Sequence, residues 1–476
     1  MKSLLKNSLY NIIYRAFSLL FPLVSSIYVS RILLPKGVGE VSLAQNLVSY
    51  FITFAGLGMV NYAVKEVGAI QNSKEKYSEV FLELFIINLI STLFCSFIYF
   101  FIVFETDFFS GNQILYIAVG LQLILNFANV DWFFQGLEEY GYITLRSFVV
   151  KFLSLLAIII FVKDKNDIVL FALINSLALA GNNLFNLFHL RKYLQINVRN
   201  FSFYNLKKHL KPLFLMLSTS LSIELYTKLD TTMLGIMTPI ENVGYYSYAT
   251  KISNILVTLA ASVTVALLPR LSYYFKSAMS KEFSTMINLA NKVLWFVTVP
   301  SVVGVFLLSD KIIILLFGSN FGPAGLTLKI LSCLMFIKAI GNLFGTQVLL
   351  TVGKERYLFY TTLLGAISNI ALNLVLIPIF QQNGAATASV ISELLVLLAQ
   401  VHFALRFVNI EMNIKFISKI FVATLIMVLF ILFILFSIDQ IIIQIVLSIF
   451  GGGGIYLIAN YYLKNEVYSF LKFKKS

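Results

Sequence analysis

Apolar runs of about twenty residues follow one another from residue 10 to residue 463 and leave no room between them for a soluble domain. Each is long enough to cross a hydrocarbon core about 30 Å thick. Fourteen can be drawn, at 10–33, 39–62, 81–104, 113–135, 143–162, 168–190, 213–237, 243–268, 287–308, 323–349, 357–380, 384–405, 418–437 and 441–463. A bilayer offers no water to backbone polar groups, so runs of this length predict helices that satisfy their own hydrogen bonds. Composition agrees: 59% of the 476 residues are hydrophobic and 12% are charged, against about a quarter charged in soluble domains. The sequence therefore predicts an all-α polytopic membrane protein. The first run follows Lys2 and Lys6 but contains Arg15 and ends in no small-x-small cleavage site. It reads as a retained first helix rather than a signal peptide.

The net charge of +14 does not point to nucleic acid, because the cations are placed by topology. With the N-terminus in the cytoplasm, most Lys and Arg lying between runs fall on the cytoplasmic set of alternate loops. That is the positive-inside pattern, and it places both termini in the cytoplasm. The most basic loop, Arg191 to Lys211, falls midway through the first twelve runs. The expected organisation is an N-lobe of six helices at 1–195 and a basic cytoplasmic linker at 196–212. A C-lobe of six helices follows at 213–407, then two further helices and a basic tail at 408–476.

Two internal echoes support two six-helix lobes. The frame Val-Gly-x-x-Ser-x-Ala opens at Val38 and again at Val243, an offset of 205 residues, with Pro35 and Pro239 just upstream. The offset pairs Ser42 with Ser247, Asn46 with Lys251, Ser49 with Asn254 and Thr53 with Thr258. These positions fall at i, i+4, i+7 and i+11, one face of a helix. Gly136-Leu137-Glu138-Glu139-Tyr140 and Gly353-Lys354-Glu355-Arg356-Tyr357 repeat Gly-x-Glu-x-Tyr six runs apart. An even spacing means parallel repeats, related by a pseudo-twofold axis along the membrane normal, with a polar path between the lobes. The run Gly451 to Gly454 is expected to permit close helix packing. Cys95 and Cys333 lie inside apolar runs and read as inert thiols, with no disulfide framework or metal cluster. His189, His209 and His402 stand near run ends, where a solvated or interfacial role is expected.

At the fourth run the chain reads Asp131-Trp132-Phe133-Phe134-Gln135-Gly136-Leu137-Glu138-Glu139-Tyr140, then Ile143-Thr144-Leu145-Arg146. This resembles the Wzx-type polysaccharide flippases, which export O-antigen, capsule or teichuronic repeat units. They belong to the multidrug/oligosaccharidyl-lipid/polysaccharide exporter superfamily, which also holds drug-exporting MATE transporters and lipid II flippases. Leu34-Pro35-x-x-Val38-Gly39 and the weaker Lys228-Leu229-Asp230 add to the match. The resemblance covers nearly the whole chain and implies a MATE-like fold of two six-helix lobes plus two helices. It further implies a carrier that moves an undecaprenyl-pyrophosphate-linked oligosaccharide to the outer leaflet of the bacterial cytoplasmic membrane by alternating access, beside a polysaccharide polymerase and glycosyltransferases.

A mid-helix cation costs about 2.5–3.5 kcal/mol on insertion scales and so tends to face a cavity or a partner. Lys151, Lys228, Lys251 and Lys338 are the deep ones, and Lys251 shares its helix with the repeated stripe. Arg15 lies about five residues into the first run, where snorkelling and cavity-facing are both open. Arg31, Arg146 and Lys292 sit near run ends, within snorkelling reach of the interface, and Arg146 gains weight from the matched motif. Cations in a wet cleft suit a pyrophosphate, while Asn46, Ser49, Ser247 and Asn254 can bond sugar hydroxyls. Asp131, Glu224, Asp230 and Glu393 are read as ion-pair partners, the first three also as candidates for coupling to an H+ or Na+ gradient; no other cofactor is expected. Lys228 has Glu224 one turn earlier, so an internal ion pair is the competing reading there.

An enzyme acting on lipid-linked glycans would need positioned acids, bases or metal ligands on substantial loops. The outer loops are short and hold no His or Cys. A drug or cation exporter of the same fold should line its cleft with acids, whereas the intramembrane excess here is basic. A lipid II flippase shares the prenyl-pyrophosphate handle and stays open as the alternative.

Overall fold

A computed structural model describes residues 4–195, 203–265, 267–277, 279–411 and 413–467. Among them every regular element is a helix. Nine helical stretches among the described residues are long and apolar enough to cross a membrane. Two of the longest each hold two expected crossings. Helix α1 (Leu4–Gly56) bends at Leu34, with φ 59° and ψ 176°, directly before Pro35. A residue preceding proline is pushed out of helical geometry, so the sequence sets the break there.

The chain divides into two compact units, Met1–Gly235 and Ile236–Ser476. The first contains α2 (Met59–Ala69), α3 (Lys74–Glu105), α4 (Gln113–Ile124), α5 (Asp131–Gly136), α6 (Tyr140–Phe161), α7 (Ile168–Leu179) and α8 (Leu184–Leu190), and nearly all of α9 (Phe203–Met237). The fourth and sixth apolar runs are therefore interrupted helices, each with a short 3-10 turn in the middle. One core joins Met59, Ala63 and Val67 of α2 to Phe81 and Leu84 of α3, Trp132, Phe133 and Phe134 of α5, and Leu206 and Leu213 of α9. Another packs Val41, Ala44 and Val48 of α1 against Tyr99, Val119 and Leu123.

Helix α9 belongs to this unit because backbone meets backbone there. A Cβ on Gly58 would lie 2.5 Å from the Met216 carbonyl carbon, and Gly58 itself has φ 67°. Near the other end, a Cβ on Gly235 would lie 2.6 Å from Leu43 Cδ1. The unit boundary thus falls at the end of the seventh apolar run, two residues before its last, while the basic linker expected at 196–212 lies partly outside the described residues.

The second unit holds α10 (Ile240–Val265), α11 (Leu268–Lys276), α12 (Ser280–Phe317), α13 (Ala324–Asn342), α14 (Glu355–Ala404), α15 (Ile414–Ser437) and α16 (Ile441–Tyr462). Helix α13 runs on into a seven-residue π-helical stretch, Leu343–Leu349. Helix α14 spans 50 residues and bends at Gln381, with φ 53° and ψ −130°, three residues after Pro378. The core joins Ala260 of α10, Ile287 and Leu294 of α12, Leu343, Phe344 and Leu397. Helices α15 and α16 pack on α12 through Phe416, Ile420, Met427 and Tyr456 around Phe296. In the glycine run, a Cβ on Gly451 would press to 2.8 Å from the Phe430 ring and one on Gly452 to 3.3 Å from Ile431, while Gly453 and Gly454 face open space. Large apolar side chains such as Phe97 and Phe436 stay exposed, at 72% and 94%. For a helix surface in lipid that is ordinary.

Candidate functional site

In the first unit the polar stripe of α1 faces α9. Asn46 is 3% exposed. Its side-chain amide donates to the Lys228 carbonyl at 3.1 Å and to Thr232 Oγ1 at 2.6 Å, and the Tyr50 hydroxyl lies 2.9 Å from the same Thr232 oxygen. Ser49 donates back to the Asn46 carbonyl at 2.7 Å, the ordinary satisfaction of a helical serine. Asp230 is buried, at 7% exposed, and Lys228 and Glu224 are half-buried on the same helix. Tyr50 lies within electrostatic reach of both Glu224 and Asp230. This stretch of α9 therefore carries one cation and two acids beside the hydrogen-bond cluster of Asn46, Tyr50 and Thr232.

Two more sequence-predicted cations belong to α6. Lys151 Nζ donates to Ser18 Oγ of α1 at 2.9 Å. Arg146 is 7% exposed and gives Nη2 to both Asp131 oxygens, at 2.8 and 2.9 Å. Asn186 adds a 2.8 Å bond to Asp131 Oδ1, and the Arg146 guanidinium lies 5.2 Å from the centre of the Tyr142 ring. Arg146 thus holds Asp131 in a buried ion pair instead of snorkelling to the interface. The rest of the matched motif is packing. Trp132, Phe133 and Phe134 are at most 1% exposed, a Cβ on Gly136 would sit 2.8 Å from Val67, and Glu139 Oε1 accepts from the Tyr193 hydroxyl at 2.8 Å. Burial, reinforced by that carboxylate, pushes the Tyr193 phenol up from its ordinary range. Arg15 lies outside the residues whose side chains are described.

In the second unit the repeated stripe lies on the open side of α10. Val243, Tyr246, Ala249, Ile252 and Ser253 are buried, whereas Ser247 and Lys251 are half-buried and Asn254 and Thr258 are less enclosed. Lys251 Nζ stands 5.1 Å from the centre of the Tyr248 ring. That ring is fixed in turn against Phe321, stacked at 4.9 Å, and against Phe317 at 4.4 Å. A cation–π contact of this kind helps to hold an ammonium in place. Lys338 is paired, its Nζ 3.0 Å from Glu393 Oε1 of α14. Lys292 is paired with Glu466 at 2.7 Å, which holds that carboxyl below the usual range.

One expectation is overturned. His209 is not solvated: it is 2% exposed, with Nε2 2.8 Å from Glu83 Oε2 and Nδ1 2.7 Å from the Tyr62 hydroxyl. Glu83 lies inside the third apolar run and was itself missing from the intramembrane acids read off the sequence. An acid two residues into such a run was the available signal. His189 stacks on Tyr142 at 3.8 Å, and His402 lies on the exposed side of α14 near Arg406.

Residues 4–275 match the family profile described as polysaccharide biosynthesis protein, and residues 156–450 match that of the lipid II flippase MurJ, each more than half of the chain. A protein of Escherichia coli (strain K12) named "Putative O-antigen transporter" is 25% identical over 409 residues, which cover 83% of this chain and 95% of that one. Among solved structures, an inward closed conformation of the lipid II flippase MurJ aligns with TM-score 0.79 at 16% identity, covering 96% of this chain and 99% of its own. An inward-facing multidrug resistance MATE family transporter aligns with TM-score 0.66 at 16% identity, covering 81% and 93%. The fold is therefore the MATE-like all-α fold. The first profile covers more than half of the chain, so the chain belongs to the polysaccharide biosynthesis protein family, and with a flippase profile and a near full-length transporter relative beside it the chain is a multi-pass membrane flippase rather than an enzyme.

Proposed function

We propose that this flippase carries an undecaprenyl-pyrophosphate-linked oligosaccharide repeat unit from the inner to the outer leaflet of the bacterial cytoplasmic membrane, for cell-surface polysaccharide. The observation that carries the reading is the polar face of α10, on which half-buried Lys251, braced by Tyr248, shares a stripe with Ser247, Asn254 and Thr258. A diphosphate needs a cation with room beside it, and sugars need hydroxyl and amide partners. In this reading Lys251 takes the pyrophosphate, and Ser247 and Asn254 bond the first sugar. The prenyl tail stays in lipid. Arg146 and Lys338 take no direct part, since Asp131 and Glu393 already neutralise them.

Alternating access would be driven by an H+ or Na+ gradient acting on Glu224 and Asp230, while Asp131 is held by Arg146. A polymerase and glycosyltransferases would be the working partners, and both termini would face the cytoplasm, as the loop charges favour. The match to MurJ over residues 156–450 supports lipid II as a second reading, because the handle is the same prenyl pyrophosphate.

Replacement of Lys251 tests the assignment. Lys251→Ala should cut surface polysaccharide at equal membrane abundance by about tenfold or more, the worth of one charge-assisted bond to a diphosphate, while Lys251→Arg keeps most of it. Full export by the alanine variant would remove Lys251 from the mechanism. Proteoliposomes loaded with lipid II or with a peptide-free glycan carrier separate the two cargoes.

A further inference from the structure

We propose that Glu83 and His209 form a proton-binding site that ties the start of α9 to α3 and makes the flippase pH-sensitive. Only the consequence for transport rests on the function proposed above. The site is built from buried titratable groups. Glu83 is 5% and His209 is 2% exposed, and their contact at 2.8 Å bridges 126 residues of sequence. Lys208 Nζ reaches the same carboxylate at 2.9 Å from Oε2 and 3.1 Å from Oε1. Tyr62 closes the other side, its hydroxyl 2.7 Å from His209 Nδ1. The charged and titratable groups facing the imidazole are thus Tyr62 from α2, Glu83 from α3 and Lys208 from α9, with Glu66 of α2 in electrostatic reach of Tyr62.

The arrangement accepts a proton without moving a heavy atom. With His209 neutral, Nε2–H donates to the Glu83 carboxylate and Nδ1 accepts from the Tyr62 hydroxyl. A phenolic oxygen is both donor and acceptor. On protonation, Nδ1–H therefore donates to the Tyr62 oxygen while the hydroxyl hydrogen turns away. No bond between heavy atoms is made or broken; the imidazole gains one proton and one positive charge. Glu83 and Lys208 already cancel, so that charge is new to the cluster and sits 2.8 Å from a carboxylate.

The bond to Glu83 then joins two ionised groups, and such bonds are shorter and roughly twice as strong as neutral ones. The tie therefore tightens as pH falls and loosens as pH rises. Histidine is the side chain suited to switch between pH 5 and 8. Lys208, with its side chain 55% exposed, places the edge of the cluster at solvent and opens a path for the proton. The position gives the tie mechanical reach. The Asn46 and Tyr50 bonds to Thr232 hold α9 toward one end, and Glu83 holds it at the other.

The test uses purified full-length protein without cargo. Ring-nitrogen NMR of labelled histidine is followed from pH 5 to 8, with His209→Gln assigning the signal. Hydrogen exchange of amides 207–213 is measured in parallel and corrected for intrinsic rates. The expected result is a protonation step at His209, with exchange about tenfold slower in the protonated form. That difference should vanish in His209→Gln, which keeps a donor for Glu83 and an acceptor for Tyr62 without titrating. If that variant misfolds, Glu83→Gln serves: with the carboxylate gone, exchange at 207–213 should no longer slow as pH falls. A His209 that stays neutral throughout, or that titrates with unchanged exchange, overturns the proposal. Reconstituted flipping is the second arm, its pH dependence lost in His209→Gln and kept in His402→Gln. Wild-type protein that titrates as described yet flips no glycan carrier would discard the cargo assignment and leave the proton site standing.

Discussion

Asp131 and Arg146 show what a charged pair does inside a helical membrane protein. Each is a poor residue to leave alone there, and together with Asn186 they make a set of short bonds. Removing one partner of a buried pair strands the other and costs about 3–5 kcal/mol, whereas replacing both by apolar residues is far milder. Arg146→Met and Asp131→Leu should each lower the amount of folded protein recovered from membranes, and the double variant should recover more than either. Double-variant yields no better than the worse single variant would mean that the pair contributes more than mutual neutralisation. The sequence showed both residues but not their contact. Lys251 was legible for the opposite reason: its relation to the stripe is internal to one helix, and a helical period can be read directly from spacing.

At the scale of elements, the bends are where local sequence and global fold disagree. Gln381 holds φ 53° and ψ −130° with its side chain exposed, so no packing is lost on replacement. A non-glycine residue held there stores about 1–3 kcal/mol, and glycine gives back about 0.5–1 kcal/mol through the entropy of the unfolded chain. Gln381→Gly should therefore raise thermal stability in detergent by about 1 kcal/mol. The same change at an exposed position inside the regular part of α14, such as Leu398, should lower it. A fall in the melting midpoint of Gln381→Gly would show that the bend is unstrained. The apolar runs foretold the helices well because length and hydropathy are local properties. They did not foretell that the fourth and sixth would break, or that α13 would pass into a π-helical stretch. Those outcomes depend on neighbours. The same holds for Glu83 and His209, whose meeting only the packing of α3 against α9 reveals.

For the whole molecule, the placement of α9 in the first compact unit changes where the chain can be divided. A fragment ending at residue 202 lacks Leu206 and Leu213, which complete the core around Trp132 and Phe133. It also exposes Glu83 without His209 and Lys208. A fragment ending at residue 238 keeps all of these. Expressed alone, residues 1–238 should insert and resist proteolysis markedly better than residues 1–202; equal resistance would show that α9 adds nothing to the unit. The recognition motif that begins at Asp131 has a wider implication. Its acid is spent on Arg146, its aromatics on the core, its glycine on Val67 and Glu139 on Tyr193. Among the described residues, Arg146 Nε and Nη1 and Trp132 Nε1 are the buried polar atoms of the motif that these contacts leave without a hydrogen bond. Most of what makes that signature recognisable is therefore built into the scaffold of the first unit, so altering it should be felt first in folding and only through folding in transport.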